Sequence, residues 1–309
     1  MKKDEKGFTL LEVLVSMGIT LVVTAAGYTF FNNTFNFSIL HSRTAEMQRE
    51  TRVAIDIMSR EIRNAGFGIV EPLTGIIQGT VSPIQASNNV DPTPSGTANK
   101  LDRITLVEGY ETIGTLNAAA TLGATTLTMV PSTGVNPTSP SIVGSTITLE
   151  GFYTGVVTAV AGGPAVYTLT LSTGLNRAYT TSNSVMIVRT ITYRVAVPAG
   201  STEPVLYRNA NDGNGDQIIA SGIEDLQFAY LLNDGTETNA PAAVVPPAVP
   251  AIRAVRITLL ARALDPNSKA TQISTRPAIE DHAAGTATDR YHRKLATKVV
   301  EVRNLGLSS

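Results

Sequence analysis

The chain contains no cysteine and no tryptophan, and its 309 residues include only three histidines. Without cysteine there is no disulfide, no thiolate nucleophile and no cysteine-ligated metal site. His41, His282 and His292 do not fall at metal-ligand spacings, so we interpret them as surface or structural residues. Lysine plus arginine number 24 against 25 acidic residues. This balance disfavours nucleic acid as a partner.

Sequence motifs for catalysis are also missing. The chain has no glycine-rich loop of the Walker type and no nucleophile elbow. The scattered histidines do not supply a general base for a Ser-His pair. We therefore predict that the protein is not an enzyme and that it needs no cofactor.

Proline is absent between Phe8 and Asn64, and the first part of this stretch is almost free of charge. The run from Phe8 to Phe31 carries Glu12 as its single charged residue. As a helix rising about 1.5 Å per residue, the run spans roughly 36 Å, which is enough to cross a bilayer. The short leader before it, residues 1–7, is net basic and favours a cytoplasmic N-terminus. We predict one helix over residues 8–65, with a transmembrane segment at 8–31.

Two simpler interpretations of this N-terminal segment are a secretory signal peptide and a plain signal anchor. The apolar run is too long for a signal-peptide core, and no small-residue cleavage site follows it. A plain anchor does not account for Glu12. A charged side chain at the centre of an apolar span costs about 2.5–3.5 kcal/mol and generally has a partner. Glu12 therefore indicates a functional role.

The residues around this acid, KGFTLLE from Lys6 to Glu12, resemble the cleavage and methylation motif of type IV prepilins. The resemblance implies that prepilin peptidase cuts after Gly7 and that Phe8 is methylated as the new N-terminal residue. It also implies that Glu12 meets the N-terminal amine of a neighbouring subunit. Each of those two charges is costly to bury alone, and their pairing offsets part of that cost. Many major pilins carry a helix-kinking proline where this chain has Thr29.

The second half of the predicted helix is amphipathic. Apolar residues at helical spacing form one face, which consists of Met47, Ala54, Ile55, Met58, Ile62 and Ala65. We predict that this face packs against a folded head. Val53 and Ile57 lie off this face, and we predict that they contact a neighbouring subunit. Gly66 and Gly68 then predict the end of the helix.

The remainder, residues 66–309, has the pattern of strands and turns, so the predicted fold class is α+β. A long N-terminal helix, serving as transmembrane and filament stalk, precedes an antiparallel-sheet, pilin-like head. Short β-type runs between residues 115 and 188 predict an all-β insertion, either a barrel or a sandwich. Loops are predicted at 71–100 and 238–251. The later strands are predicted at DRITLV, TITYRVAV, PVLYRNA, GIEDLQFAYLL, AVRITLLARAL and HRKLATKVVEVRN.

The blocks SREIRNAGFG, LYRNANDG, GIEDLQFAY, RAVRITLLARA and VVEVRNL follow one another along the chain. In this order they resemble PilW-type minor pilins and the related J-type pseudopilins of type II secretion. The resemblance implies a subunit at the tip or priming complex of a type IV pilus. It also implies an inner-membrane precursor with a periplasmic head, later located at the cell surface. Its expected partners are prepilin peptidase and other major and minor pilins. The alternatives are a type II secretion pseudopilin and an adhesin or DNA-uptake subunit that acts through the insertion.

Three polar segments in the head invite a functional interpretation. The segment NANDGNGD is rich in side-chain oxygens but lacks EF-hand spacing, so we interpret it as a turn. Calcium bound by Asp212, Asn214 and Asp216 is the alternative. We interpret the Glu224–Asp225 pair as solvated charges at a strand end. The basic cluster is too small to predict DNA binding, and we interpret it as a solvated strand edge that comprises Arg290, His292, Arg293 and Lys294 beside Asp289.

Overall fold

A computed structural model of the protein describes residues 9–69, 83–92, 100–138, 141–241, 252–263, 274–286 and 288–304. The predicted leader lies outside the described residues, as do parts of both predicted loops. The chain divides into two compact units, residues 1–46 and residues 47–309.

A single helix, α1 (Leu10–Asn64), runs through 55 residues without a break. Its first part, in the first unit, exposes nearly all its side chains. Hydroxyl groups in this part bond back to the helix. Thr20 Oγ1 donates to the Ser16 carbonyl at 2.7 Å, and Thr29 Oγ1 donates to the Ala26 carbonyl at 2.8 Å. These bonds satisfy the polar groups locally, so the outer surface of the helix is apolar.

In the second unit, the end of α1 buries one face. All six residues predicted for that face are buried: Met47, Ala54, Ile55, Met58, Ile62 and Ala65. Ile57 also packs partly against this core, because the buried face is wider than the apolar stripe. Val53 stays 44% exposed and keeps the exposure that a contact with a neighbour needs.

Glu61 lies on the buried face of α1 among these apolar residues. Its carboxylate accepts a hydrogen bond from the Tyr193 hydroxyl. The Arg208 guanidinium donates to Glu61 Oε1 through Nε at 3.0 Å and through Nη2 at 2.8 Å. Burial and the neighbouring Glu61 carboxylate raise the pKa of the Tyr193 phenol, so its proton remains available for this bond. The cluster ties the helix to the head by directional bonds.

Gly66 and Arg303, which is near the end of the described residues, bond at the C-terminal end of α1. Gly66 has a φ of 78°, a left-handed conformation that suits glycine after a helix. Its N–H donates to the Val107 carbonyl at 2.8 Å. The Arg303 N–H donates to the Arg63 carbonyl at 3.3 Å, which satisfies one of the free carbonyls of the last turn.

Strands make up most of the head. Among the described residues the strands are β1 (Ile84–Asp91), β2 (Leu101–Leu116), β3 (Thr126–Pro131), β4 (Thr146–Leu149), β5 (Tyr153–Gly163), β6 (Val166–Leu171), β7 (Ser184–Ala196), β8 (Val205–Asn209), β9 (Asp216–Ser221), β10 (Ile223–Leu232), β11 (Glu237–Thr238), β12 (Ile252–Arg262), β13 (Ser274–Thr275), β14 (Thr288–Asp289) and β15 (Arg293–Glu301). The fold class is α+β, as the sequence predicts.

The first nine strands form one antiparallel sheet in the order β1-β2-β3-β6-β5-β4-β7-β8-β9, and β2 also pairs with β7. That extra pairing closes β2, β3, β6, β5, β4 and β7 into a ring, which is a six-stranded barrel. The barrel has its own apolar core, which includes Ile113, Met129, Ile147, Leu169 and Val185. The predicted insertion supplies most of the barrel. Strand β2 extends across the predicted start of the insertion at residue 115, and β7 extends across its predicted end at residue 188. That the insertion is a separate domain therefore stays a prediction.

The second sheet has the order β11-β10-β12-β15. One face of it packs with the end of α1 and with strands β1, β2, β7, β8 and β9 around the main core of the head. Phe228, Tyr230 and Ile257 are fully or almost fully buried there. The other face of β10 is also buried. Nearly every residue of this strand is therefore buried, instead of buried residues alternating with exposed ones.

We predict that Glu61→Ala destabilises the head by about 3–5 kcal/mol, because it leaves the Arg208 charge in a largely buried site without its partner. The free energy of unfolding, measured by urea titration of the full chain in detergent, checks this value. Arg60→Ala, at an exposed position on the same helix, is the control and should change stability little. Equal stability of the two variants would contradict the anchoring role of Glu61.

Candidate functional site

The first turn of α1 carries the acid that the sequence singles out. The N–H of Glu12 donates to Thr9 Oγ1 at 3.3 Å and to the Thr9 carbonyl at 3.1 Å, so Thr9 caps the helix. Thr9 and Glu12 also have the spacing of a capping box. This signal is present in the sequence, but the comparison with the prepilin motif does not use it. Among the described residues, the Glu12 carboxylate has no side-chain partner. Gly7 and Phe8, the predicted cleavage and methylation sites, lie outside the described residues.

The helix surface on both sides of Glu12 in the sequence is apolar and exposed. Leu10, Leu14, Leu21 and Phe30 are each more than 60% exposed. In the described part of the chain, α1 is the one helix whose length and composition suit a membrane span. Exposed apolar surface on this scale marks a site of contact with lipid or protein. The N-terminal part of α1 is therefore a surface for association, with one carboxylate at its start.

A second polar site lies under the segment that follows β13. Asp225 on β10 is completely buried and forms an ion pair with Arg276. His282 Nδ1 lies 2.9 Å from Asp225 Oδ2, and His282 Nε2 lies 2.7 Å from Asn89 Oδ1. Burial lowers the pKa of His282, and the Arg276 charge lowers it further. The prediction that Asp225 is a solvated strand-end charge is wrong, because this segment covers the outer face of β10.

The same correction applies to its neighbour Glu224 and to part of the basic cluster. Glu224 is 3% exposed, and Arg293 Nε donates to its Oε2 at 2.6 Å. Arg293 Nη1 also donates to Asp289 Oδ1 at 2.7 Å. Burial lowers the pKa of Arg293, but the hydrogen bonds with Asp289 and Glu224 outweigh it and leave that pKa above its usual value. Arg293 is thus a buried anchor, whereas His292 and Lys294 are exposed as predicted.

Asp102 connects the two sheets. It is 1% exposed, and its Oδ1 accepts the N–H of Asn89 at 2.9 Å. Its Oδ2 accepts the N–H of Phe228, on the second sheet, at 2.8 Å. Burial raises the pKa of Asp102 to about 6, although the two backbone N–H groups and His282 counteract the rise. The sequence offers a weak signal for this site, namely an acid at the second position of an apolar strand.

The glycine-rich segment Asn209–Asp216 is a turn that joins β8 and β9. Asp212 Oδ1 accepts the Asn214 N–H at 3.0 Å, and Asp216 Oδ1 accepts from Asn209 Nδ2 at 2.9 Å. Asp216 also pairs with Arg194. These oxygens therefore bond within the turn and to its neighbour strand. Calcium binding by Asp212, Asn214 and Asp216 stays a prediction.

Comparisons with known proteins bear on both ends of the chain. Residues 2–28 match the prokaryotic N-terminal methylation motif, and residues 192–304 match the family of type IV pilus-assembly protein W. The pilin-like protein PilA3 of Thermus thermophilus is 34% identical over 62 residues, which cover 20% of this chain and 27% of that protein. A solved type IV-like pilin from Thermus thermophilus has a TM-score of 0.38 and 13% identity over 83% of this chain and 96% of its own.

A methylation motif at the head of a long apolar helix, followed by an antiparallel-sheet head, is the arrangement that the resemblance to type IV pilins implies. The matched region from 192 to 304 contains the buried charged residues Glu224, Asp225 and Arg276, together with Arg208 and Arg293, whose side chains are largely buried. Within this chain, residues 192–304 are similar to type IV pilus-assembly protein W.

We predict that Asp102→Asn removes a pH dependence of stability. The pKa of Asp102 is about 6 in the folded protein against an ordinary value of 3.8, so the folded state binds this proton more tightly. The contribution of Asp102 to the free energy of unfolding therefore falls by about 3 kcal/mol as pH rises from about 4 to about 6. The asparagine does not titrate, and this contribution to the slope should disappear.

Urea unfolding at a series of pH values, on the full chain in detergent, measures this slope. Asp234→Asn, at an exposed turn, is the control and should retain the wild-type slope. An unchanged slope in Asp102→Asn would assign the pH dependence to other groups.

Proposed function

We propose that this protein is a minor pilin that joins the tip or priming complex of a type IV pilus. Prepilin peptidase cuts after Gly7 and methylates Phe8, and the mature chain is then extracted from the inner membrane into the filament. The observation that carries this proposal is the N-terminal part of α1, which is apolar, exposed and headed by one acid.

The head has its own core, and none of the described residues before Met47 is part of it. The main core and the barrel core are built from residue 47 onward. The exposed apolar surface before it therefore needs lipid in the precursor and neighbouring helices in the filament. This sequence of environments is the one that the methylation motif implies.

Glu12 is the residue that we propose to direct assembly. In a membrane or a filament core, burial of an unpaired carboxylate costs free energy, and pairing with a neighbouring subunit's N-terminal amine offsets that cost. Because the pairing needs one particular helix offset, it selects the register between subunits. The basic leader favours a cytoplasmic N-terminus and hence a head in the periplasm.

The barrel supports a position at the tip. It adds a second core to the head, beyond the sheet that packs on α1. A subunit in the shaft has neighbours above and below, and extra bulk there conflicts with close packing. A subunit at the tip has no neighbour on its outward side, so it accommodates the barrel.

We predict that Gly7→Leu blocks processing, because the peptidase would no longer find the small residue before its cut. The precursor then stays in the membrane and migrates more slowly on a denaturing gel than the wild-type protein. Gly18→Ala is the matched control, since a Cβ at Gly18 meets no atom within 4 Å. Normal maturation of Gly7→Leu would disprove the processing step.

We predict that Glu12→Ala is processed normally but is depleted from pili, because the N-terminal amine of the neighbouring subunit then has no carboxylate to pair with. Immunoblots of sheared pili and of membranes measure the two outcomes separately. Glu46→Ala, at an exposed position of the same helix, should assemble like the wild-type protein. Wild-type amounts of Glu12→Ala in pili would remove Glu12 from the assembly mechanism.

A further inference from the structure

Strand β15 is an edge of the second sheet. It pairs along its whole length with β12, from Arg262 opposite Arg293 to Ala254 opposite Glu301. Within the described residues, no strand pairs with its other side. An open edge of nine residues is long for a monomeric protein, which usually covers or interrupts such edges.

The direction of the unused backbone groups follows from two hydrogen bonds. The Val302 N–H donates to the Arg253 carbonyl at 2.9 Å, and the Ala263 N–H donates to the His292 carbonyl at 2.9 Å. In an antiparallel pair, alternate residues face the partner strand. Even-numbered residues of β15 therefore bond to β12, and Leu295, Thr297 and Val299 direct N–H and C=O groups away from it. None of the described residues bonds to these backbone groups.

A groove of about 300 Å³ runs along this open edge, between β15 and the end of α1. Arg52 and Asp56 line it from the helix, and Lys294, Ala296 and Lys298 line it from the strand. Lys298 Nζ bonds to Asp56 Oδ1 at 2.9 Å, which draws that lysine toward the helix. The groove therefore borders the backbone groups that an added strand would use.

The two faces of the edge differ in chemistry. The groove carries three cations, Arg52, Lys294 and Lys298, against the one acid Asp56. On the opposite face, Leu295 is 46% exposed and Val299 is 58% exposed. Lysines at a sheet edge oppose pairing with neutral or basic strands. The same charges favour a strand that is acidic on one face, and the exposed aliphatic residues favour one that is apolar on the other.

We propose that the open edge of β15 pairs with an extended segment of a neighbouring pilin-like subunit that is a different protein from this chain. That segment directs acidic side chains into the groove and apolar side chains against Leu295 and Val299. Its backbone bonds to Leu295, Thr297 and Val299, as in recognition by strand addition. The identity of the partner rests on the proposed function, whereas the pairing itself does not.

The test uses the full chain in detergent and a fluorescent synthetic peptide of about seven residues in which valine and glutamate alternate. We expect the peptide to bind, as measured by fluorescence anisotropy, and a peptide with lysine in place of glutamate to bind about tenfold more weakly or worse. Thr297→Pro should weaken binding of the acidic peptide by a similar factor, because proline removes the outward N–H. Thr297→Val is the matched control and should bind like the wild-type protein.

Proline is tolerated at an edge position whose N–H faces outward, so Thr297→Pro should keep the wild-type melting temperature. If this variant does not fold, Lys294→Glu decides the question instead, since it leaves two cations against two acids in the groove and should remove the preference for the acidic peptide. Equal binding of the acidic peptide to the wild-type protein and to folded Thr297→Pro would overturn the proposal. Absence of binding at millimolar peptide would also overturn it.

Self-association that Thr297→Pro abolishes would assign the edge to a second copy of this chain and would equally overturn the proposal. Sedimentation in detergent detects it. These measurements use purified protein, so their failure is distinct from failure of pilus assembly. Conversely, a Glu12→Ala chain that assembles normally would leave the peptide result intact.

Discussion

The N-terminal part of α1 has apolar side chains on all sides, and water does not tolerate such a surface on an isolated helix. Its hydroxyl groups do not make this surface more polar, because Thr20 and Thr29 bond to carbonyls of their own helix. The segment therefore depends on an environment that the rest of the chain does not provide. The rest of the protein is compatible with this dependence: the head folds around its own core, and under the proposed function the helix exchanges lipid for neighbouring subunits.

The head holds α1 with directional polar bonds as well as with apolar packing. An apolar face alone allows a helix to slide or rotate at small cost, since aliphatic contacts are not directional. Glu61 removes that freedom, because its carboxylate is satisfied only where Tyr193 and Arg208 meet it. Buried ion pairs add little net stability, and specificity of arrangement is the better account of them. A subunit whose helix is loaded through contacts with its neighbours benefits from such a fixed attachment.

The sequence predicts the helix, its buried stripe and the late strands because each depends on a local period. Met58 and Ile62 repeat at helical spacing, and their burial needs no knowledge of the partner strands. Glu61 shares their face, but its partners lie on β7 and β8, at a distance that periodicity does not report. The interpretation of Glu224 and Asp225 as solvated charges fails for the same reason, since their partners Arg293 and Arg276 are remote in sequence. Closure of the barrel depends on pairing between β2 and β7, a long-range contact without a local signal.

Assembly and recognition of a particular partner need different surfaces, and we assign them to the N-terminal part of α1 and to strand β15, respectively. An apolar helix with one acid suits any neighbour that presents a similar helix and an amine, so it selects register but not identity. Identity has to come from a surface that differs between subunits. The open edge of β15 meets that requirement, because its backbone bonds fix a direction and its lysines discriminate by charge. Under the proposed function, division of the two tasks lets a common filament core accept a specialised subunit at a defined position.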